Sequence, residues 1–184
     1  MKPFILAAAS LVVCSAALAA AEPLVSGPQV GKKIPGPFLP LHITGPDAGD
    51  HVCLVCKNGA NPVAMIFARN ASAPLTTLIK KIDAATAAHQ DVEMGSFVVF
   101  LTDSASLPKA VKEMADREGV KQTILAEDAP AGPPAYHVAP DAAVTVVLYN
   151  HHKVAANYAF REGELTDRAI DAILADLPKI LAKE

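Results

Sequence analysis

Four short apolar runs predict the strands of a sheet. They lie at residues 62–68, 96–102, 122–126 and 143–149. The first two runs are nearly continuous rather than alternating, which is typical of strands covered on both faces. The last run is followed by the turn Asn150-His151-His152 and by a second strand pattern at residues 153–160. These last two strands are predicted to form a hairpin.

Apolar positions at helical spacing separate the strands. The predicted helices are residues 73–88, a shorter helix from Ser106 to about Gly119, and a last helix that Thr166 caps and Pro178 interrupts. Ser72 offers an N-cap oxygen to the first of these helices. The order of elements predicts an α/β fold with a mixed central sheet between two layers of helices, α/β/α.

The amino-terminal residues have the pattern of a secretory signal peptide. Lys2 is followed by an apolar stretch to about Val13 and then by small residues that end at Ala21. We therefore expect residues 1–21 to be removed on export, with Cys14 among them, and the protein to be periplasmic or secreted. No later apolar run reaches the length of about 20 residues that a membrane span needs. Residues 22–36 are rich in Pro and Gly and predict an extended lead-in.

Charge and motifs exclude several classes of function. Without Lys2 the chain carries 15 basic and 19 acidic side chains, a net charge of −4, and it has no basic block. Neither nucleic acid nor an anionic membrane is therefore an expected partner. The sequence contains no Gly-rich phosphate loop and no Ser/His/Asp constellation, so no cofactor is predicted.

Cys53 and Cys56 form a Cys-x-x-Cys pair directly before the first apolar run. In an exported chain we expect these two thiols to be oxidised to a disulfide, because no third cysteine of the mature chain competes for pairing. Gly59 and Pro62 predict a turn after the pair that would leave one sulfur accessible. Three interpretations stay open: thiol–disulfide exchange with both cysteines as catalytic residues, a passive structural disulfide, or a metal site.

The metal interpretation adds histidine to the pair. His51, Cys53 and Cys56 could supply three ligands for zinc or copper, with His42 as a fourth. A complete zinc site usually shows a second pair of ligands, and none is visible in the sequence. His151 and His152 are predicted as solvated turn residues, because adjacent histidines in a turn rarely direct both rings at one metal ion.

In its order of elements the chain resembles the thioredoxin-like superfamily, in particular the branch of exported thiol-disulfide oxidoreductases and peroxiredoxin-like proteins. The segments that carry the resemblance lie at residues 37–41, 66–68, 136–138 and 144–149. The resemblance implies a thioredoxin-like domain over residues 37–184. It also implies thiol–disulfide exchange, with proteins that bear thiols or disulfides as partners.

The departures from this family pattern concern the active site itself. The resemblance implies a cysteine pair at the start of the helix after the first core strand, where backbone N–H groups favour a thiolate. Here Ala71 and Pro74 occupy that position, and Val144 stands where the family has a cis-proline. Cys53 and Cys56 precede the first core strand, so they are expected at the opposite end of the sheet. The chain is then either an exchange protein with a displaced pair or a non-catalytic binding module with a structural disulfide.

Overall fold

The computed structural model describes residues 23–182, and the predicted signal segment lies outside them. The strands are β1 (Leu41–His42), β2 (Val63–Ala68), β3 (Gly95–Leu101), β4 (Ile124–Asp128), β5 (Val144–Asn150) and β6 (Lys153–Phe160). The helices are α1 (Leu54–Asn58), α2 (Ala73–Ala88), α3 (Leu107–Glu118), α4 (Asp167–Ala175) and α5 (Pro178–Leu181). Apart from α1, these helices and the five longer strands are those that the apolar pattern predicts.

The strands form one mixed sheet in the order β1-β4-β3-β2-β5-β6. β2, β3 and β4 run parallel to one another, whereas β1, β5 and β6 are antiparallel to their neighbours. The register places Ile66 of β2 between Val98 of β3 and Val146 of β5. The predicted α/β class with a mixed sheet is therefore confirmed.

The central strand β2 is apolar on both faces. One face carries Ala64, Ile66 and Ala68, and the other carries Val63, Met65 and Phe67. All six residues are buried. A strand of this kind must be covered from both sides, because exposing either face would leave apolar area in water.

The two faces of the sheet are covered by different kinds of structure. Helices α2 to α5 pack on one face through residues such as Leu78, Val111 and Ile173. The other face is covered by the short helix α1, by the turn Pro134–Tyr136 and by the lead-in segment. The α/β/α layering is thus present, but its two outer layers differ. One layer consists of the helices α2 to α5, and the other is largely irregular backbone.

The lead-in segment is part of the folded unit. The Ser26 and Thr145 hydroxyls lie 2.7 Å apart in a buried hydrogen bond, and the Asn157 amide donates to the Ser26 carbonyl at 2.9 Å. Ile34 is buried in the second face, and its backbone N–H donates to the His152 carbonyl at 2.8 Å. The segment bends at Gly27, turns near Gly31 and lies against the start of β6.

The first edge strand is shorter than the apolar positions from Phe38 to Ile43 suggest. Only Leu41 and His42 form β1, because Pro40 has no N–H to donate and the turn at Gly45 follows closely. The Phe38 ring packs instead against Tyr136, with the ring centroids 4.9 Å apart. Within residues 23–182, no helix has both the length and the apolar composition needed to cross a membrane.

Candidate functional site

A tight turn after β1 brings the chain back towards the cysteine pair. The backbone N–H of Gly49 donates to the His42 carbonyl at 2.9 Å, and His51 then forms a bridge with Leu41. The imidazole Nδ1–H of His51 donates to the Leu39 carbonyl at 3.0 Å. The histidine ring is therefore hydrogen-bonded to the backbone just before β1 and is exposed to solvent.

Helix α1 begins at Cys53, which acts as its N-cap. The backbone N–H of Cys56 donates to Cys53 Sγ at 3.0 Å, and the N–H of Lys57 donates to the Cys53 carbonyl at 3.0 Å. Gly59 ends the helix with a φ of 53°, a conformation that glycine adopts without steric cost. The five-residue helix thus holds the two cysteines one turn apart.

The two cysteines form the predicted disulfide. Their sulfurs are 2.08 Å apart and their Cα atoms 5.2 Å apart. The two sulfurs have different surroundings: Cys53 is 9 % exposed and belongs to the apolar cluster of the second sheet face, whereas Cys56 is exposed. The next residues, Leu54 and Val55, are also buried and anchor α1 to the sheet. The bond therefore joins an exposed residue, Cys56, to a covered one, Cys53.

Helix α1 lies beside the amino ends of the parallel strands, as the chain order predicts. The Asn58 side chain contacts Gly95, the first residue of β3, and leaves no room for a Cβ there. Leu54, Lys57 and Asn58 also line a cavity of about 280 Å³ together with residues at the starts of β3 and β4. The disulfide helix is thus at the opposite end of the sheet from the start of α2.

Electrostatic and hydrogen-bonding contacts hold α1 against the turn after β1. The Lys57 ammonium group forms an ion pair with Asp47. His42 is 2 % exposed, and its Nε2–H donates to the Val52 carbonyl at 3.2 Å. Its other ring nitrogen, Nδ1, lies 3.8 Å from the Asp47 carboxylate. These contacts position the segment that leads into Cys53.

The residues of the metal interpretation are not assembled as ligands in the disulfide form. The ring of His51 is directed at the Leu39 carbonyl, His42 is bonded to Val52, and the two sulfurs are bonded to each other. Within residues 23–182, no group of three or more His, Cys, Asp or Glu side chains has an arrangement that could hold a metal ion.

The start of α2, where the family resemblance places its cysteines, is closed by backbone contacts. The guanidinium of Arg69 donates to three carbonyls, those of Pro130 at 2.8 Å, Ala142 at 3.1 Å and Ala139 at 3.2 Å. Ser72 Oγ accepts the N–H of Leu75 at 3.4 Å and is the predicted N-cap. Arg69 thereby joins loops, and its charge does not face an open anion site.

A cavity of about 350 Å³ lies at the carboxyl ends of β3 and β4. His51, Asp103, Glu127 and Asp128 line it. Removal from water raises the pKa of the Glu127 carboxyl above its usual value, and the nearby His51 partly offsets this effect. Glu127 lies beyond the predicted strand, because the apolar run ends at residue 126, whereas β4 continues to Asp128. The acidic pair directly after the apolar run is the sequence signal that marks this position.

A larger cavity lies beside the hairpin turn between β5 and β6. Its volume is about 660 Å³, and Lys33, Lys153 and Lys179 line it. His151 and His152 form the turn with φ values of 48° and 60° and are exposed, as predicted. The Lys179 ammonium is paired with the Asp176 carboxylate at 2.7 Å, so part of the positive charge here is balanced.

The sheet order, its two parallel crossovers and its closing hairpin define an α/β fold of the thioredoxin-like type. No family model and no curated protein matches the sequence. Solved structures do match. One is assigned as a thiol:disulfide interchange protein DsbE from Chlorobium tepidum, with a TM-score of 0.57 and 19 % identity over 81 % of this chain and 98 % of that one.

Two further structures come from Mycobacterium tuberculosis. Peroxidoxin BcpB has a TM-score of 0.58 and 18 % identity over 85 % of this chain and 98 % of its own. A secreted disulfide oxidoreductase homologous to E. coli DsbE has a TM-score of 0.57 and 10 % identity, covering 77 % of this chain and 94 % of its own. At these identities the similarity shows the fold alone. The chain thus has a thioredoxin-like fold without cysteines at the start of α2.

Proposed function

We propose that this protein is an exported thiol–disulfide exchange protein and that Cys53 and Cys56 are its catalytic residues. The observation that carries the proposal is the disulfide between them, with one sulfur at the surface. A disulfide exchanges only when a thiolate can reach one of its sulfurs. The exposure of Cys56 meets this requirement.

The small structural contribution of the bond supports the same conclusion. Cys53 and Cys56 are already held together by α1, through the Cys56 N–H to Cys53 Sγ bond and the Lys57 N–H to Cys53 carbonyl bond. In the chain-entropy model, closing a four-residue loop contributes about 2 kcal/mol, less than half the value for a loop of about 100 residues. Stabilisation is therefore a weak reason to have this disulfide.

The partners in this proposal are proteins that carry thiols or disulfides. The solved structures with the same fold include named thiol-disulfide oxidoreductases, which favours this class of partner. Cys56 lies outside the cavities described above, on the exposed side of α1. An exposed sulfur on a helix surface suits contact with another protein surface better than enclosure of a small molecule.

Export is the second element of the proposal, and it rests on the signal pattern of residues 1–21. An oxidising compartment is where a disulfide of this kind persists. The test is to express the full chain in a bacterial host, separate the compartments and determine the mass of the protein. We expect cleavage after Ala19 or Ala21. Protein that stays in the cytosol with residues 1–21 attached would contradict export.

The exchange proposal is tested by a redox titration of the full chain carrying Cys14→Ser, so that only one pair can titrate. The protein is equilibrated across glutathione buffers, and free thiols are trapped by alkylation and counted by mass. We expect a midpoint in the range of known exchange proteins, roughly −120 to −270 mV. The variant that also carries Cys53→Ser and Cys56→Ser is the control and should show no titration.

Two results would replace the proposal by an alternative. A pair that stays oxidised far below that range would indicate a non-catalytic binding module with a structural disulfide. Stoichiometric zinc or copper on protein purified without a chelator, lost on Cys53→Ser and on His51→Ala, would indicate a metal site.

A further inference from the structure

The two sulfurs of the disulfide are not equivalent to an incoming thiolate. Attack on a disulfide requires approach to one sulfur from the side opposite the bond that breaks, so access decides which sulfur reacts. Cys53 is 9 % exposed and packs in the apolar cluster with Leu54 and Val55, whereas Cys56 is exposed. Of the two residues, Cys56 is therefore the more open to an incoming thiolate.

The hydrogen bonding at the pair favours the same direction of cleavage. When Cys56 Sγ is attacked, Cys53 Sγ is the leaving group and takes the electron pair of the broken bond. That sulfur already accepts the backbone N–H of Cys56 at 3.0 Å. A hydrogen bond to the charged form stabilises it, so the departing Cys53 thiolate finds a donor in place.

In the reduced protein, the two cysteines are expected to react in the same order, Cys56 before Cys53. Access to a partner decides this order: Cys53 is covered by the apolar cluster of the second sheet face, whereas Cys56 is exposed. The thiolate that first attacks a partner disulfide is therefore expected at Cys56, with Cys53 acting second.

We propose that Cys56 is the sulfur that forms the mixed disulfide with a partner protein and that Cys53 is the buried leaving and resolving sulfur. This inference rests on the proposed exchange function. In oxidation of a partner dithiol, a partner thiolate bonds to Cys56 Sγ, the Cys53–Cys56 bond breaks, and Cys53 leaves as a thiolate that takes a proton from water. The second partner thiolate then attacks the partner's sulfur in the mixed disulfide. Cys56 leaves as a thiolate, and two electrons have passed from the partner to the protein.

The opposite reaction uses the same atoms in reverse. The Cys56 thiolate attacks a partner disulfide and releases one partner thiolate. The Cys53 thiolate then attacks Cys56 Sγ, the mixed disulfide breaks, and the second partner thiolate leaves. The partner gains two electrons and the protein disulfide forms again.

Single serine variants separate the two roles, in the full chain carrying Cys14→Ser. Cys53→Ser keeps an N-cap oxygen, since serine is a preferred N-cap residue, and Cys56→Ser changes an exposed position, so both are expected to fold. Each variant is incubated with oxidised glutathione, and formation of the glutathione adduct is followed by mass. Cys53→Ser, which retains Cys56, should react at least ~10-fold faster, because each 1.4 kcal/mol needed to open a buried site slows the reaction tenfold.

A measurement on the reduced protein without either serine change guards against a folding defect in the variants. The Cys14→Ser protein is reduced and given a short pulse of limiting iodoacetamide, and the peptides are mapped by mass. Cys56 should be alkylated first. Equal labelling, faster labelling of Cys53, or equal adduct rates in the two variants would overturn the assignment.

The outcomes also separate this inference from the exchange proposal. A disulfide that titrates in the exchange range while Cys53 reacts first would overturn only the assignment of roles. A pair that resists reduction throughout that range would overturn the exchange function, whichever thiol is labelled first in the reduced protein.

Discussion

Helix α1 runs to the amino end of β3, where Asn58 contacts Gly95, whereas α2 begins after the carboxyl end of β2; both helices begin at a side-chain cap. Ser72 Oγ accepts the N–H of Leu75 at 3.4 Å at the start of α2, and Cys53 Sγ accepts the N–H of Cys56 at 3.0 Å at the start of α1. At both helix starts, a side-chain atom of the N-cap residue accepts a backbone N–H of the first turn. The chemistry differs because one cap atom is a hydroxyl and the other is a sulfur joined to a second, exposed sulfur.

The surroundings reinforce this difference. The start of α2 is closed by Arg69, which binds three carbonyls of the loop before β5. The adjacent cavity, between Ser72 and Leu165, has a volume of only about 70 Å³. The start of α1 leaves Cys56 in solvent. A fold therefore does not fix where reactive groups lie, and function has to be argued from the side chains at each site.

The largest expected effect is on the α2 side. Leu78 is fully buried under the sheet, so Leu78→Ala should lower the free energy of unfolding by about 2–5 kcal/mol through lost burial and a remaining cavity. Urea unfolding followed by circular dichroism measures the change. Thr77→Ala, at the exposed neighbouring position, is the matched control and should stay within about 0.5 kcal/mol. An equal loss in both variants would mean that α2 does not pack as described.

A second change tests the closure at the start of α2. Arg69→Lys keeps the charge but replaces a planar fork that binds three carbonyls by a single ammonium group. We expect a loss of about 1–3 kcal/mol, measured by urea unfolding. Arg168→Lys, at an exposed position in α4, is the control and should have no effect. Unchanged stability in Arg69→Lys would show that the three contacts contribute little.

Reduction of the disulfide should lower the free energy of unfolding by less than the largest losses expected for Leu78→Ala and Arg69→Lys. The loop contains only four residues, so reducing Cys53–Cys56 should lower the free energy of unfolding by about 2 kcal/mol or less. Urea unfolding of the Cys14→Ser protein with and without a phosphine reductant measures it. A loss as large as that of Leu78→Ala would assign the pair a structural role and weaken the contrast between the two ends.

The smallest effect concerns Glu127, near His51 on the path to Cys53. Its pKa is raised by removal from water, so the carboxyl favours folding below its unfolded pKa and loses this contribution as the pH rises through the folded value. Glu127→Gln should therefore stabilise the protein at pH 7 by about 0.5 kcal/mol or less, and the gain should shrink towards pH 4. Thermal midpoints of both proteins across that pH range give the result. A gain that grows on acidification would contradict the assigned direction.

The regular elements were predictable because their signals are local. The run from Val63 to Ala68 is apolar at every position, and Ser72, Thr166 and Pro178 stand at helix boundaries that the structure confirms. Helix α1 was not predicted. It has only five residues, and its cap is a cysteine, which is not among the residues usually recognised as N-caps.

The disulfide and its end of the sheet were predictable, whereas the unequal exposure of its sulfurs was predicted only in outline. Spacing indicated that Cys53 and Cys56 could pair, and chain order placed them before the first core strand. Which sulfur is covered depends on the cluster that includes Ile34 and Tyr136, and these residues are distant in sequence. Pairwise contacts of this kind leave no periodic signal in the chain.

The lead-in segment has a consequence for how the protein behaves in a crowded solution. Backbone bonds from Gly31 and Ile34 cover the beginning of β6, and at the other side of the sheet β1 is only two residues long and follows Pro40. The lead-in thus takes up the outer N–H and C=O groups at the start of β6, and β1 is too short to form a long free edge. Both features limit edge-to-edge pairing with a neighbouring chain. The lead-in residues, whose composition resembles that of a linker, thus also hinder the addition of a strand at the start of β6.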